Sequence, residues 1–91
     1  MFRELTNEEG FTVEMWRKLG FTLVCWTDED GNTGYHTENG TIFLQGWVEI
    51  DNDTINRAVE ATKSWDWVET CKCYKAGINN YYIAEIKVKE E

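Results

Sequence analysis

The sequence predicts an α+β fold, in which two helices pack on one antiparallel sheet made of a three-stranded meander and a C-terminal hairpin. Three observations support this class. Residues 41–50 alternate in polarity, as a strand with one apolar face does. Asn39-Gly40, directly before them, is a strong hairpin signal. Residues 54–64 instead repeat apolar positions every three or four residues, as a helix does.

Length and composition predict one folded domain, residues 1–91. Ninety-one residues are enough for one hydrophobic core and too few for two. Hydrophobic residues make up 42% of the chain, with five Trp, four Tyr and four Phe, so we expect an ordered protein rather than a disordered one. No repeat, proline or linker-like tract marks a domain boundary.

The first element is predicted as a helix over residues 7–19. Thr6-Asn7-Glu8-Glu9 supplies capping residues, and Gly20 stands where a helix commonly ends on a residue of positive φ. Gly10 disfavours a helix interior and moves the expected start towards Thr12. A strand stays an open alternative, because apolar residues also alternate at Phe11, Val13 and Met15.

The next three elements are predicted as the strands of the meander. They cover Phe21–Thr27, Thr33–Thr37 and Thr41–Ile50, and are joined by polar turns at 28–32 and 38–40. On the third strand, one side carries Ile42, Leu44, Val48 and Ile50, and the other carries Phe43, Gln45, Trp47 and Glu49.

The second helix is predicted over Thr54–Ser64, with Asp53 as its N-cap. It is expected to cover the apolar face of the third strand with a buried stripe of Ile55, Ala58, Val59, Thr62 and Trp65. Two further strands, 67–75 and 81–89, complete the order α-β-β-β-α-β-β. On the last strand the inward residues are predicted to be Tyr82, Ala84, Ile86 and Val88.

Charge is the strongest compositional signal. Seventeen acidic residues against nine basic ones give a formal charge of −8. Such a surface repels nucleic-acid backbones and anionic membranes, since lysine and arginine drive binding to phosphates. We therefore expect no direct nucleic-acid or membrane binding, and the charge is suited either to solubility or to a basic protein partner.

The cysteines indicate a reducing compartment. Cys25, Cys71 and Cys73 leave one thiol over in any disulfide scheme, and Cys71 and Cys73 share one face of a predicted strand. With no apolar span of membrane length and no basic-then-apolar leader, we expect a cytoplasmic protein.

Catalytic and metal motifs are weak in this sequence. There is no glycine-rich phosphate loop and no Gly-x-Ser-x-Gly elbow. His36 with the three cysteines is one alternative as a small metal-binding protein or enzyme, although Cys-x-Cys within a strand is poor zinc geometry. We expect a protein that is not an enzyme and holds no cofactor.

Aromatic residues on the second side of the third strand allow two arrangements. In one, the first helix covers Trp26, Phe43 and Trp47 and makes them core residues. In the other, the helices share one face and the rings form an exposed interface. The covered arrangement is the one we expect from two helices and one sheet.

These observations predict a small acidic protein-binding module, an inhibitor or regulator of the kind carried by phages and mobile elements. It would dock a basic, nucleic-acid-handling host protein. The predicted contact residues are the acids and the ring near the hairpin tips: Asp28, Glu29, Asp30, Tyr35 and Glu38. A domain that binds a small ligand or single-stranded nucleic acid through exposed aromatics is the alternative.

Overall fold

The computed structural model has two helices packed on a four-stranded antiparallel sheet, which confirms the predicted α+β class. It describes residues 5–27, 30, 33–35, 40–77 and 79–89, with the side chains of 25–27 and 33–35 excepted. The elements are α1 (Asn7–Lys18), β1 (Thr22–Leu23), β2 (Cys25–Thr27), β3 (Thr33–Tyr35), β4 (Thr41–Trp47), α2 (Asn52–Lys63), β5 (Val68–Lys75) and β6 (Tyr81–Val88).

The main sheet has the strand order β1-β4-β6-β5, so β4 is an interior strand. Antiparallel pairing places Leu23 opposite Leu44, and Leu44 opposite Ala84. The C-terminal hairpin is present as predicted, with Cys73 opposite Ala84 and an irregularity between Val68 and Thr70. The pairing runs without interruption from Thr41 to Trp47 along β6, which makes β4 and β6 the centre of the fold.

One detail of the predicted meander differs. The first predicted strand is divided at Val24: β1 pairs with β4, whereas β2 pairs with β3 in a separate two-stranded sheet. Among the described residues, β3 has no other strand neighbour. On β4, β1 pairs with Leu44 and Gln45 on one edge, and β6 pairs along the other edge. Val24 still donates its N–H to the Phe43 carbonyl, 2.8 Å away.

The first helix forms from Asn7 rather than from Thr12, and the strand alternative is wrong. The Thr6 hydroxyl accepts a hydrogen bond from the Glu9 backbone N–H at 3.2 Å. The Glu9 carboxylate accepts one from the Thr6 backbone N–H at 2.9 Å, which completes a capping box. At the other end, Gly20 has φ +103° and Phe21 donates its N–H to the Trp16 carbonyl, as in a Schellman motif. The stabilisation of the helix by caps at both ends exceeds the destabilisation that Gly10 causes in its interior.

The second helix starts two residues earlier than predicted, because its N-cap is Asp51 and not Asp53. The Asp51 carboxylate accepts from the Thr54 N–H at 2.7 Å, the spacing that an N-cap requires. Asp53 instead lies in the first turn, where its negative charge interacts favourably with the positive end of the helix dipole. The predicted stripe is confirmed: Ile55, Ala58 and Thr62 are buried, and Val59 and Trp65 pack against the core.

Both helices lie on the same side of the sheet. The hydrophobic core combines Val13 and Trp16 of α1 with Ala58 of α2. It also contains the inward residues of the strands, which are Ile42, Leu44, Cys71, Ala84 and Ile86. The predicted strand ends at Trp47 rather than at Ile50, and its alternation is confirmed on the apolar side, where Ile42 and Leu44 are fully buried.

Candidate binding face on the open side of the sheet

The second side of the sheet is covered by neither helix, and we call it the open face. Its large side chains are Phe43 and Trp47 of β4, Tyr74 of β5, and Tyr81 and Ile83 of β6. Trp47 is 73% exposed and Tyr74 is 42% exposed, while Phe43, Tyr81 and Ile83 are half-buried. An exposed cluster of large apolar side chains is the usual mark of an interface.

The expectation that the first helix covers these rings is therefore wrong. The indole N–H of Trp16 donates to the Thr62 hydroxyl at 2.9 Å, which places α1 beside α2 on the core side. Phe43 and Trp47 consequently lie on the opposite side of β4 from both helices. The side chain of Trp26 lies outside the described residues, so its assignment to this face stays a prediction.

Sheet register sets the open-face residues in rows across the strands. Gln45, Ile83 and Tyr74 are successive partners in one row, and Phe43, Glu85 and Lys72 are partners in the next. Neighbours within a row are close enough for their side chains to touch. The face is thus a continuous surface across β4, β6 and β5 rather than a set of separate residues.

At one end of this face, Trp47 and Tyr81 form an aromatic pair. Their ring centroids are 4.7 Å apart, with an interplanar angle of 44°. The Tyr81 hydroxyl donates to the side-chain carbonyl of Gln45, which fixes the orientation of the tyrosine. Trp47 also lines a shallow depression together with Glu49, Asn79 and Asn80. We call this group the Trp47 corner; its members are Gln45, Trp47, Glu49, Asn79, Asn80 and Tyr81.

In the next part of the face, a lysine is held between a ring and a carboxylate. Lys72 Nζ lies 3.3 Å from a Glu85 carboxylate oxygen and 5.8 Å from the centroid of the Tyr74 ring. A hydrogen bond from the Tyr74 hydroxyl to Glu85 raises the pKa of that tyrosine, because the bond favours the protonated phenol.

The second lysine at an open-face position is also paired with an acid. Lys87 Nζ lies 3.3 Å from a carboxylate oxygen of Glu69. Lys72 and Lys87 are the two cations at open-face positions of the described strands. Because each contacts a carboxylate, the strands present a face that is aromatic and close to neutral, on a chain of formal charge −8.

The predicted hairpin-tip residues are only partly described. Asp30 is an exposed turn residue, and Tyr35 ends β3, where its backbone is opposite Cys25. Asp28, Glu29 and Glu38 lie outside the described residues. The proposal that these five residues form one contact surface therefore stays a prediction.

The cysteines of β5 face the core rather than a metal site. Cys71 is buried and Cys73 is half-buried, and both are free thiols. Burial raises the pKa of each thiol to about 11. Within the described part of the chain, no group of three or more His, Cys, Asp or Glu side chains is arranged to hold a metal ion. His36 and the Cys25 side chain lie outside that part.

Comparison of the chain with protein-family models, curated proteins and solved structures gave no match. Neither of the two helices in the described residues has the length and apolar character needed to cross a bilayer.

The sequence predicts contact residues at the turns and does not single out the open-face residues Tyr74, Tyr81 and Ile83. A signal for two of them was available. Since Tyr82, Ala84 and Ile86 were assigned inward, the same alternation places Tyr81 and Ile83 on the other side. Phase alone, however, does not tell whether that side is covered by a helix.

Proposed function

We propose that this protein is a small acidic protein-binding module that docks a basic protein partner through the open face of its sheet. The observation that carries the proposal is the exposure of the aromatic side chains on that face, above all Trp47 at 73%. Trp and Tyr are enriched at protein interfaces because they bury a large area and lose few degrees of freedom.

The charges favour a protein over a nucleic acid as the partner. Single-strand binders combine stacking aromatics with cations that contact the phosphate backbone. On the open face, Lys72 and Lys87 are each within 3.3 Å of a carboxylate oxygen, and the whole chain has formal charge −8. A phosphate backbone would have to compete with those carboxylates and would be repelled by the remaining acids.

The negative net charge of the chain also favours a basic partner, since long-range attraction between opposite charges speeds association. We extend the proposal to an inhibitor or regulator, of the phage or mobile-element type, acting on a nucleic-acid-handling protein. It acts by binding rather than by catalysis. The free thiols of Cys71 and Cys73 are consistent with action in the cytoplasm.

A second candidate function is binding of a small planar ligand. The stacked pair of Trp47 and Tyr81, with centroids 4.7 Å apart, favours it because an exposed ring accepts another ring on its free face. Ligand-dependent quenching of Trp47 fluorescence in the absence of any protein partner would distinguish this candidate from the first.

The test compares capture of host proteins by immobilised variants. Trp47→Ser with Tyr74→Ser removes the exposed rings of the open face. Phe11→Ser is the matched control, because Phe11 is 71% exposed but lies on α1, on the other side of the sheet. Charge reversal of Asp28, Glu29 and Asp30 examines the predicted hairpin-tip surface.

The expected result is one basic protein that is retained by the native chain and by Phe11→Ser, but lost with the open-face double variant. Its capture should weaken as salt is raised. A photo-crosslinker in place of Tyr74 should then attach to this protein. Equal capture by the double variant and the native chain, with both shown to be folded by circular dichroism, would refute docking through the open face.

A further inference from the structure

We propose that the Trp47 corner is a binding site for a guanidinium group, occupied by an arginine side chain of the partner. This inference rests on the proposed function in that the partner supplies the arginine. The site consists of the exposed Trp47 ring, the Tyr81 ring beside it and the carboxylate of Glu49. An arginine stacks its planar group on an aromatic ring while its N–H groups donate to a carboxylate.

The ring and the carboxylate are on the same side of the chain. Val48 is buried, whereas its neighbours Trp47 and Glu49 are both exposed and line one depression. One depression thus offers both a ring for a guanidinium to stack on and a carboxylate for its N–H groups to bond to. The side-chain carbonyls of Asn79 and Asn80 add acceptors at the same depression.

The same face already holds one cation by this combination of groups. Lys72 Nζ is 5.8 Å from the Tyr74 ring centroid and 3.3 Å from a Glu85 oxygen. This is the one cation–π contact between described residues. At the Trp47 corner, a more exposed ring and a carboxylate are present, and no described lysine or arginine lies over the ring.

The corner is held in place before any ligand binds. Val48 donates its N–H to the Asn80 carbonyl at 2.9 Å, which ties the end of β4 to the turn before β6. The Tyr81 hydroxyl is bonded to Gln45, as described above. On the core side of β4, Gly46 contacts the Gly20 carbonyl so closely that a Cβ there would lie 2.6 Å from it. A rigid site loses less entropy on binding.

The experiment uses the full chain and a short peptide, N-acetyl-glycyl-arginyl-glycinamide, followed by the indole N–H resonance of Trp47 in two-dimensional NMR. A citrulline peptide is the neutral control of the same shape, and a lysine peptide is the control for charge alone. Trp47 is assigned from the resonance missing in Trp47→Leu. Each peptide is titrated to tens of millimolar, because an isolated arginine is expected to bind only weakly.

The arginine peptide should shift the Trp47 resonance in a saturable way, the lysine peptide less, and the citrulline peptide not at all. Glu49→Gln should weaken binding about two- to fivefold, and Trp47→Leu should abolish the shifts of neighbouring Tyr81. Phe11→Leu should leave the titration unchanged. Equal responses to arginine and citrulline, or to arginine and lysine, would overturn the guanidinium site.

The two proposals fail separately. If the peptide titration is negative while the open-face double variant loses the basic partner, the protein-binding function stands and the arginine site is wrong. If the arginine peptide binds at Trp47 but capture is the same for all variants, the site stands and docking through the face is wrong.

Discussion

The indole N–H of Trp16 on α1 donates to the Thr62 hydroxyl on α2 at 2.9 Å, and both side chains are fully buried. Thr62 in turn donates to the Ala58 carbonyl at 2.8 Å, within its own helix. A buried donor needs an acceptor, so α1 is held against α2 and not on the second side of the sheet. Together with the burial of Val13 and Trp16 in the common core, this bond keeps both helices on one side of the sheet.

We predict that Thr62→Val destabilises the protein by about 1–3 kcal/mol, because it leaves the indole N–H buried without an acceptor. Urea unfolding followed by circular dichroism measures the change. In the background of Trp16→Phe, where the donor is already absent, the same substitution should cost less. Additive effects of the two substitutions would mean that the bond contributes nothing to stability.

The two isoleucines of β6 provide a matched test of which face is the core. Ile86 is fully buried and Ile83 is half-buried on the open face. Ile86→Ala should cost about 2–5 kcal/mol, whereas Ile83→Ala should cost about 1 kcal/mol or less. Chemical denaturation gives both values. Similar losses at the two positions would show that another part of the chain covers the open face.

Gly10 inside the first helix and Gly20 just after its end should respond to alanine in opposite directions. Gly20 has φ +103°, and a Cβ there would lie 2.9 Å from Cγ1 of Val48. Gly20→Ala should therefore destabilise the protein by more than about 1 kcal/mol. Gly10 is inside the helix with no atom within 4 Å of a new Cβ, so Gly10→Ala should stabilise it by about 0.5–1 kcal/mol. Thermal melts of the two variants should shift in opposite senses.

The thiols of β5 should react slowly in the folded protein. Burial raises the pKa of Cys71 and Cys73 to about 11, so almost no thiolate is present at pH 8. In a Cys25→Ala background, modification by a disulfide reagent should be roughly 100-fold or more slower than in urea, where the thiol pKa returns to its ordinary value. Mass spectrometry reports the sites. Equal rates would contradict the burial of both residues.

The capping carboxylate of Asp51 predicts a pH-dependent contribution to stability. Hydrogen bonds from the hydroxyl and the backbone N–H of Thr54 lower the pKa of Asp51 in the folded state. Its contribution is therefore present above the unfolded pKa of about 3.9 and is lost as pH falls through the lower folded value. Asp51→Asn keeps an acceptor but does not titrate. The native chain should be the more stable of the two at pH 7, and the difference should vanish in acid.

The local elements were predictable because each is specified by its own residues. Three signals act over only a few positions in the chain. They are the capping box at Thr6 and Glu9, the glycine after Leu19, and the alternation through Ile42 and Leu44. The predicted N-cap of α2 is two residues from the observed one. Both Asp51 and Asp53 are good capping residues, and only the bond from Thr54 to Asp51 distinguishes them.

The site was not predictable to the same degree because it depends on contacts between distant residues. Whether Trp47 is core or surface is decided by where α1 packs, and α1 packs through distant contacts such as the bond between Trp16 and Thr62, which are 46 positions apart. The pairing of β4 with β1 and β6 rather than with β3 is likewise a competition among strands. Periodicity gives the phase of a strand but not its neighbours.

Because the helices cover only one side of the sheet, the residues of the core and the residues of the exposed surface lie on opposite faces of the same strands. Side chains such as Ile42 and Ile86 are fully buried in the core, while Trp47 and Tyr74 on the other face of the sheet are exposed. Substitution at exposed Trp47 or Tyr74 is accordingly expected to disturb the scaffold less than substitution at Ile42 or Ile86. The outward positions of this sheet are therefore where we expect the sequences of related chains to diverge most.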